Sequence, residues 1–416
     1  MFTPISQLQE LIIYRKVLED NIIRQLPAIC SAAATPAEQA AWYGELIGKA
    51  EALSLQGDLI KQYLLYLLAH DKNIVSVTLQ KTGGTLGESL QKAWLHDLGL
   101  LQKFFAAELP AGRQSQLIEH FVPTFPPAAP SPYRLLEPGF LSVSATSEQA
   151  AALLITYYTQ YGYGDMAEYA AFRWQEATGL TGIKHYDTIR LTDIVGYDRQ
   201  KATLINNTQA FLTGHPTNHV LLSGARGTGK SSSVKALANE YFANGLRLVE
   251  VAKSQLTSLP KLMELLRGYR QRFIIFLDDL SFEEFEVEYK YLKSVIEGGL
   301  EAKPDNVLIY ATSNRRHLIK ETWSDRSENM DELHRADAVN EKISLSDRFG
   351  IILSFVAPSQ QEYLTIVSEL ARKQGVQLPP DELRTAALQW EFSHSGRSGR
   401  TAQQFINHLL SNRTAK

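Results

Sequence analysis

The sequence predicts an α/β fold, a parallel sheet that carries a Gly-rich loop, closed by a helical C-terminal segment and preceded by a mostly α-helical region. Three observations lead there. The run Gly224-Ala225-Arg226-Gly227-Thr228-Gly229-Lys230-Ser231-Ser232-Ser233 fits the phosphate-binding pattern G-x-x-x-x-G-K-[ST]. From about residue 190 apolar strands alternate with helical patterns, the signature of a parallel sheet. Before that, apolar residues recur mainly at helical spacing.

Residues 1–120 read as a helical domain. Leu8, Leu11, Ile12 and Ile13, then Leu18 and Ile22, lie at roughly helical spacing, as do Leu59, Ile60, Tyr63, Leu64, Leu67 and Leu68. Gly83-Gly84 interrupts the pattern. Residues 121–140 carry Pro123, Pro126, Pro127, Pro130, Pro132 and Pro138, a density that opposes helix and central strand, and read as an extended connector. Residues 141–189 read as a helical, aromatic-rich segment packing on the nucleotide domain. A helix from Ser147 to about Thr178 would carry Tyr157, Tyr158, Tyr161, Tyr163, Tyr169, Phe172 and Trp174.

Residues 190–357 hold five strand candidates: Val220–Ser223, Leu246–Val251, Phe273–Asp278, Val307–Thr312 and Ile351–Phe355. Residues 358–416 read as helical, broken at Leu378-Pro379-Pro380 and near Ser395–Ser398. No internal repeat or low-complexity tract is seen.

At 416 residues the chain suits two or three domains of about 150 residues, and 44% apolar residues suffice for a core in each. The net charge of −3 argues against a dedicated nucleic-acid binder, though not against a local basic patch. One cysteine, Cys30, excludes an internal disulfide and a multi-cysteine metal site, and fits a reducing, cytoplasmic setting. The ten histidines lack metal-ligand spacing. Met1 to Asp20 alternates apolar and charged residues without a small-residue cleavage site, so no signal peptide is expected. The apolar run Tyr63–Ala69 is too short to span a bilayer, so no membrane partner is expected.

The loop supplies the chemistry. Its glycines let backbone N–H groups turn inward toward phosphate oxygens, and the following helix, read from Ser232 to Tyr241, adds its N-terminal dipole. Lys230 would reach the β- and γ-phosphates, and the Ser231 hydroxyl would ligate Mg²⁺. Phe273-Ile274-Ile275-Phe276-Leu277-Asp278-Asp279 is a buried strand with an acidic tip. Asp278 would hold Mg²⁺, usually through water, and Asp279 would polarise the attacking water. Asn314, ending Ala311-Thr312-Ser313-Asn314, could hold a water between Asp279 and the γ-phosphate. Two more runs follow: Leu345-Ser346-Asp347-Arg348-Phe349-Gly350 before the last strand, and Gly396-Arg397-Ser398-Gly399-Arg400-Thr401 at a late helix.

This order of elements resembles the AAA+ ATPases over about residues 190–416. The resemblance implies a five-stranded parallel sheet and a helical lid at about 358–416. It implies ATP and Mg²⁺ as ligands. Gly224, Ala225, Arg226, Gly227, Thr228, Gly229, Lys230, Ser231 and Ser232 would form Walker A. Asp278 and Asp279 would form Walker B, and Asn314 sensor 1. Arg348 would be the finger that reaches a neighbouring subunit's ATP, making the chain a homo-oligomer. Arg400 would be sensor 2, with Arg397 the alternative. Asp193-Ile194-Val195-Gly196-Tyr197 resembles the stretch that packs on adenine, with Ile194, Val195 and Gly196 as the contacts. A closer resemblance is to a family of uncharacterised bacterial predicted AAA+ ATPases. It rests on Gly224–Ser233, Asp278-Asp279-Leu280-Ser281-Phe282-Glu283, Ala311–Leu318 and Ser344–Gly350.

The chain departs from the superfamily pattern in places. Most members carry Asp-Glu where this chain has Asp278-Asp279, a carboxylate set back by about 1–1.5 Å, and a misplacement near 1 Å can cost about a hundredfold in rate. Hydrolysis could be slow, or Glu283 or Glu284 could substitute. Asp-Asp and the run Ser346–Gly350 also resemble the replication initiator and helicase loader branch. Ala252–Pro260 lacks the aromatic-aliphatic-Gly gripping loop of threading unfoldases. Arg315 to Lys342 is long, charged and aromatic-poor, and reads as a solvated loop or a client contact. The expected function is ATP hydrolysis coupled to assembly and to remodelling of a protein or nucleic-acid client. The alternative is an ATP-dependent switch or adaptor with slow turnover. A metabolic kinase or GTPase is disfavoured, since no Asn-Lys-x-Asp guanine motif occurs.

Overall fold

The computed structural model describes residues 4–31, 33–109, 116–125, 131–142, 144–282, 288–297, 303–314, 347–394 and 396–413. The chain divides into two compact units: Met1–Tyr169 with Gly268–Gln271, and Ala170–Arg267 with Arg272–Lys416. Among the described residues no helix is long and apolar enough to cross a membrane.

The first unit is helical. Its longer helices are α1 (Asn21–Ile29), α2 (Pro36–Leu53), α3 (Leu59–His70), α4 (Ile74–Thr82), α5 (Glu88–Ala106) and α6 (Ser147–Gln160). Local chemistry fixes their ends. Thr35 with Glu38 and Thr146 with Gln149 form capping boxes at the starts of α2 and α6. Gly83, at φ 74°, closes α4 in the left-handed region, where the sequence breaks its helical pattern. Trp42, Trp94, Tyr133, Tyr157 and Phe104 lie fully buried in its core.

Two sequence expectations are corrected here. Residues 8–20 do not continue one helix. They form two short 3-10 turns, Leu8–Glu10 and Arg15–Glu19. The reason is Asp97 of α5, fully buried, whose carboxylate accepts the backbone N–H groups of Ile12, Ile13 and Tyr14 at 2.7–3.1 Å. N–H groups spent on a carboxylate cannot enter a helical ladder. The Pro-rich 121–140 stretch is not wholly extended either. It contains a 3-10 turn at Pro132–Leu136 and a helical turn at Glu137–Phe140. Pro132 and Pro138 sit in the first turns, where a missing N–H costs nothing.

The second unit is built on a sheet of seven strands: β1 (Ala171–Gln175), β2 (Gly179–Gly182), β3 (Val220–Gly224), β4 (Leu246–Val251), β5 (Arg272–Leu277), β6 (Val307–Ser313) and β7 (Ile351–Phe355), in the order β2-β1-β4-β5-β6-β3-β7. β7, β3, β6, β5 and β4 are mutually parallel. This is the five-stranded core that the sequence predicts, and its strands match the expected ones to within a residue at each end. β1 adds parallel to β4, and β2 pairs antiparallel with β1.

That hairpin corrects the third expectation, a helix running to Thr178. The helix ends at Gln160, and Gly162 and Gly164 follow at φ 88° and 55°. Ala171–Gln175 then alternates buried and exposed side chains toward its end, and Gly179 at φ 77° turns the chain back. Part of the aromatic cluster therefore lies on a strand, with Phe172 and Trp174 buried.

Helices α7 (Asp198–Leu212), α8 (Lys230–Tyr241), α9 (Leu259–Arg267) and α10 (Glu288–Glu297) connect the strands. Phe273–Leu277 and Val220–Leu222 are wholly buried, as strands between covered faces must be. The lid helices are α11 (Gln360–Lys373), α12 (Pro380–Ser393) and α13 (Gly399–Arg413). They share a core of Tyr363, Val367, Ala387, Ala402, Phe405 and Ile406, with Val195 packed against it.

Gly224 ends β3 at φ 134°, and a Cβ there would stand 2.1 Å from the Phe355 carbonyl oxygen of β7. Gly224→Ala is expected to cost about 3 kcal/mol or more, since backbone must part from backbone in a paired sheet. Thermal denaturation checks this, and an unchanged Tm would refute the close approach.

Candidate functional site

β5, β6 and β3 are neighbours, so their carboxyl ends bring Asp278, Asn314 and the Gly-rich loop to one crevice. This is where open parallel sheets take ligands. The loop curls through Gly227 at φ 72° and Gly229 at φ 92°, and delivers Lys230 as the first residue of α8. The Thr228 hydroxyl ties the curl by donating to the Ala225 carbonyl at 2.8 Å.

Lys230 is 6% exposed. Its Nζ donates to the carbonyls of Gly224 at 2.9 Å and Ala225 at 2.7 Å, and to Asn314 Oδ1 at 3.1 Å. Burial holds its pKa below the ordinary lysine value, opposed by the carboxylates of Asp279 and Asp278.

The acidic tip is a hydrogen-bonded set. Asp278 Oδ1 accepts from the Ser231 hydroxyl at 2.5 Å and from the Thr312 hydroxyl at 2.6 Å. Asp279 takes φ 50°, a left-handed conformation uncommon for a residue with a side chain. Its N–H donates to Thr312 Oγ1 at 2.9 Å, which holds the turn. Its carboxylate accepts from Asn314 Nδ2 at 2.6 Å. Asn314 thus bridges Lys230 and Asp279 through the two ends of one amide. Ser231 and Asp278 present an oxygen-only donor pair, which fits Mg²⁺ sharing its shell with waters and phosphate oxygens.

These groups line a cavity of about 650 Å³, within the size range of small-molecule sites. Arg226, Gly227, Thr228, Gly229, Lys230, Ser231 and Ser232 form one wall, with Asp278, Asp279, Thr312 and Asn314 beside them. Apolar side chains also line it: Ile189, Ile194, Val195 and Tyr197, together with Ile366 and Leu370 of α11. Tyr197 is fixed there by its hydroxyl, which donates to the Val356 carbonyl at 2.8 Å, and by its ring against Phe355.

The lid closes on the loop through backbone. The Arg400 N–H donates to the Gly227 carbonyl at 3.2 Å. A Cβ on Gly227 would meet Ser398 Oγ at 2.8 Å. Arg400 and Gln403 line the cavity. Arg397 instead pairs with Glu391 at 2.8 Å within the lid.

Some expected residues lie apart from the cavity. Gly224 and Ala225 position the loop, and Gly196, at φ 79°, stands between the lining residues Val195 and Tyr197; none of the three lines the cavity. Arg348 also does not line it, and its guanidinium pairs with Glu297 of α10. Glu283, Glu284 and Arg315–Lys342 lie outside the described residues. Ala252–Pro260 forms a 3-10 helix, Lys253–Ser258, leading into α9. The hairpin holds it: Trp174 Nε1 donates to Ser258 Oγ at 2.7 Å, and the Glu176 N–H to Gln255 Oε1 at 3.0 Å.

Sequence reasoning gave no role to Thr312, Ile189, Ile366, Leu370 and Gln403, and named Tyr197 only within the Asp193–Tyr197 stretch. Thr312 had a signal, since it stands in the string that ends in Asn314. The lid residues had none beyond helical periodicity.

A family model described as a protein of unknown function, DUF815, matches residues 167–413. No curated protein matches the chain. Among solved structures, two variants of RuvB from Thermotoga maritima match at 18% and 19% identity, each over 53% of this chain and 64% of that one, with a TM-score of 0.36. A third, titled as the RuvB Holliday junction branch migration motor of Thermotoga maritima, matches at 18% identity over 53% of this chain and 63% of that one, with a TM-score of 0.34. The chain thus spans under two thirds of these three RuvB structures.

Proposed function

The chain belongs to the DUF815 family, and on that premise we propose that it binds ATP with Mg²⁺ in this cavity and hydrolyses it. One observation carries the reading. Lys230, Ser231, Asp278, Asp279, Asn314 and Arg400, drawn from separate elements, meet around one cavity that apolar side chains also line. The apolar side chains take the base, between Ile194 and Val195 and the lid residues Ile366 and Leu370. The polar groups take the triphosphate: Lys230 and the loop N–H groups neutralise it, and Arg400 reaches it from the lid. Mg²⁺, held by Ser231 and Asp278, supplies charge neutralisation on the phosphate oxygens. Asp279, oriented by Asn314, accepts the proton of the attacking water.

Asp279→Asn is expected to lower turnover by about 10²–10⁴-fold with ATP binding retained, the usual size of a general-base contribution. Steady-state hydrolysis and nucleotide titration measure the two separately. Equal turnover in the variant would remove Asp279 from the role.

Arg348 acts on a neighbouring copy in this reading, because in its own chain it pairs with Glu297 outside the cavity. Hydrolysis is coupled to self-association and to remodelling of a protein or nucleic-acid client. The test is steady-state hydrolysis against protein concentration. A specific rate rising with concentration supports an assembled ATPase, and a concentration-independent rate removes the trans role.

A second reading, an ATP-dependent switch with slow turnover, is favoured by one observation. The carboxylate at the strand tip is aspartate, a methylene shorter than glutamate, and it is already engaged by Asn314. Tight ATP binding with negligible turnover at every concentration would select this reading.

A further inference from the structure

At the opposite ends of the same strands, a second group of side chains has chemistry of its own. His219 immediately precedes β3, and Lys303 stands ahead of β6. His219 is 6% exposed. Its Nδ1 accepts the backbone N–H of Ile309 at 2.9 Å. Its Nε2 lies 2.6 Å from Nζ of Lys303, which is partly exposed.

These two contacts fix the protons. A nitrogen that accepts a backbone N–H must present its lone pair, so the neutral ring carries its hydrogen on Nε2. An Nε2–H facing an ammonium would set donor against donor. An ammonium donating to Nε2 would require a ring with no hydrogen at all. The arrangement closes only when Lys303 is a neutral amine that accepts the Nε2–H. The ionisable surroundings act in the same sense. Burial drives the His219 pKa down to about 3, so its ring is neutral. Burial lowers Lys303 to about 8, opposed by the Asp305 carboxylate.

We propose that Lys303 is a nucleophilic lysine, its free-amine form favoured by the His219 contact, and a site of modification by activated acyl donors such as acyl phosphates or thioesters. The amine lone pair attacks the acyl carbon and an N–C bond forms. The phosphate or thiolate leaves with its bonding pair, and the proton lost from nitrogen passes to solvent. The product amide oxygen can still accept the His219 Nε2–H, so acylation keeps the contact that the free amine makes. An ordinary surface lysine has no such arrangement, and its ammonium resists acylation at neutral pH.

The test uses the full chain and limiting isotope-labelled acetic anhydride across a pH series, with rates read at each lysine by peptide mass spectrometry. At about pH 7.5, Lys303 is expected to react at least about tenfold faster than the average lysine, with half-maximal reactivity near pH 8 rather than near the ordinary value of about 10.4. His219→Gln, whose amide oxygen can accept from an ammonium, is expected to return Lys303 to ordinary reactivity. Should that variant not fold, long-range ¹H–¹⁵N spectra of the unsubstituted chain decide instead, with Nε2 protonated and Nδ1 bare at neutral pH. Ordinary labelling of Lys303, or an Nδ1–H tautomer at His219, would overturn the proposal.

Discussion

Arg348→Ala is expected to lower ATP turnover by about 10³–10⁵-fold, the contribution of an arginine supplied to a transferring phosphoryl group. ATP affinity is expected to stay near that of the unsubstituted chain. The separation follows from placement. Arg348 stands in the turn before β7, pairs with Glu297 and does not line the cavity that its own chain builds. The substitution removes a partly exposed ion pair, a loss of about 0–1 kcal/mol, so the fold is expected to persist. Steady-state rates and nucleotide titration on the same preparation check it. A parallel loss of binding and turnover would mean that Arg348 supports its own site.

Lys230→Ala is expected to weaken ATP binding by at least about thirtyfold. The ammonium is nearly buried at the mouth of the loop, where it answers the carbonyls of Gly224 and Ala225. Truncating one partner of a buried, hydrogen-bonded charge pair costs about 2–5 kcal/mol, or roughly 30- to 4,000-fold in affinity. The same truncation leaves two carbonyls short of a donor, a folding cost of about 1–3 kcal/mol. Circular dichroism separates that cost from the loss of binding. Retained affinity in a folded variant would place the triphosphate elsewhere.

How far the sequence spoke depended on whether the signal was local. The Gly-rich loop was legible because a backbone curl needs glycines at fixed offsets, and Gly227 and Gly229 do take left-handed angles. The core strands were legible because a strand buried on both faces is a short apolar run, and Phe273–Leu277 is fully buried. The tip residues Asp278, Asp279 and Asn314 could be proposed together because strand ends place them together, and they do meet.

What failed was non-local. Ile12, Ile13 and Tyr14 sit at helical spacing, but their N–H groups are claimed by Asp97, far along the chain. Phe172 and Trp174 continue an aromatic cluster begun on α6, so composition alone ran the helix on, while pairing with β4 makes them a strand. Ile366 and Leu370 reach the cavity only because the lid helix folds back over the loop. Of the two arginines on one short stretch, the sequence put Arg400 ahead of Arg397, and only Arg400 lines the cavity. The dock of α13 on Gly227 brings Arg400 to the cavity, and Glu391 takes Arg397.

The central claim is that this cavity holds Mg²⁺ and ATP, and the most direct measurement is calorimetric titration of Mg·ATP into the full chain beside Lys230→Ala. The account predicts saturable binding by the unsubstituted chain that weakens when Mg²⁺ is withheld and falls by at least about thirtyfold in the folded variant. No binding by the unsubstituted chain, or equal binding by both, would contradict it.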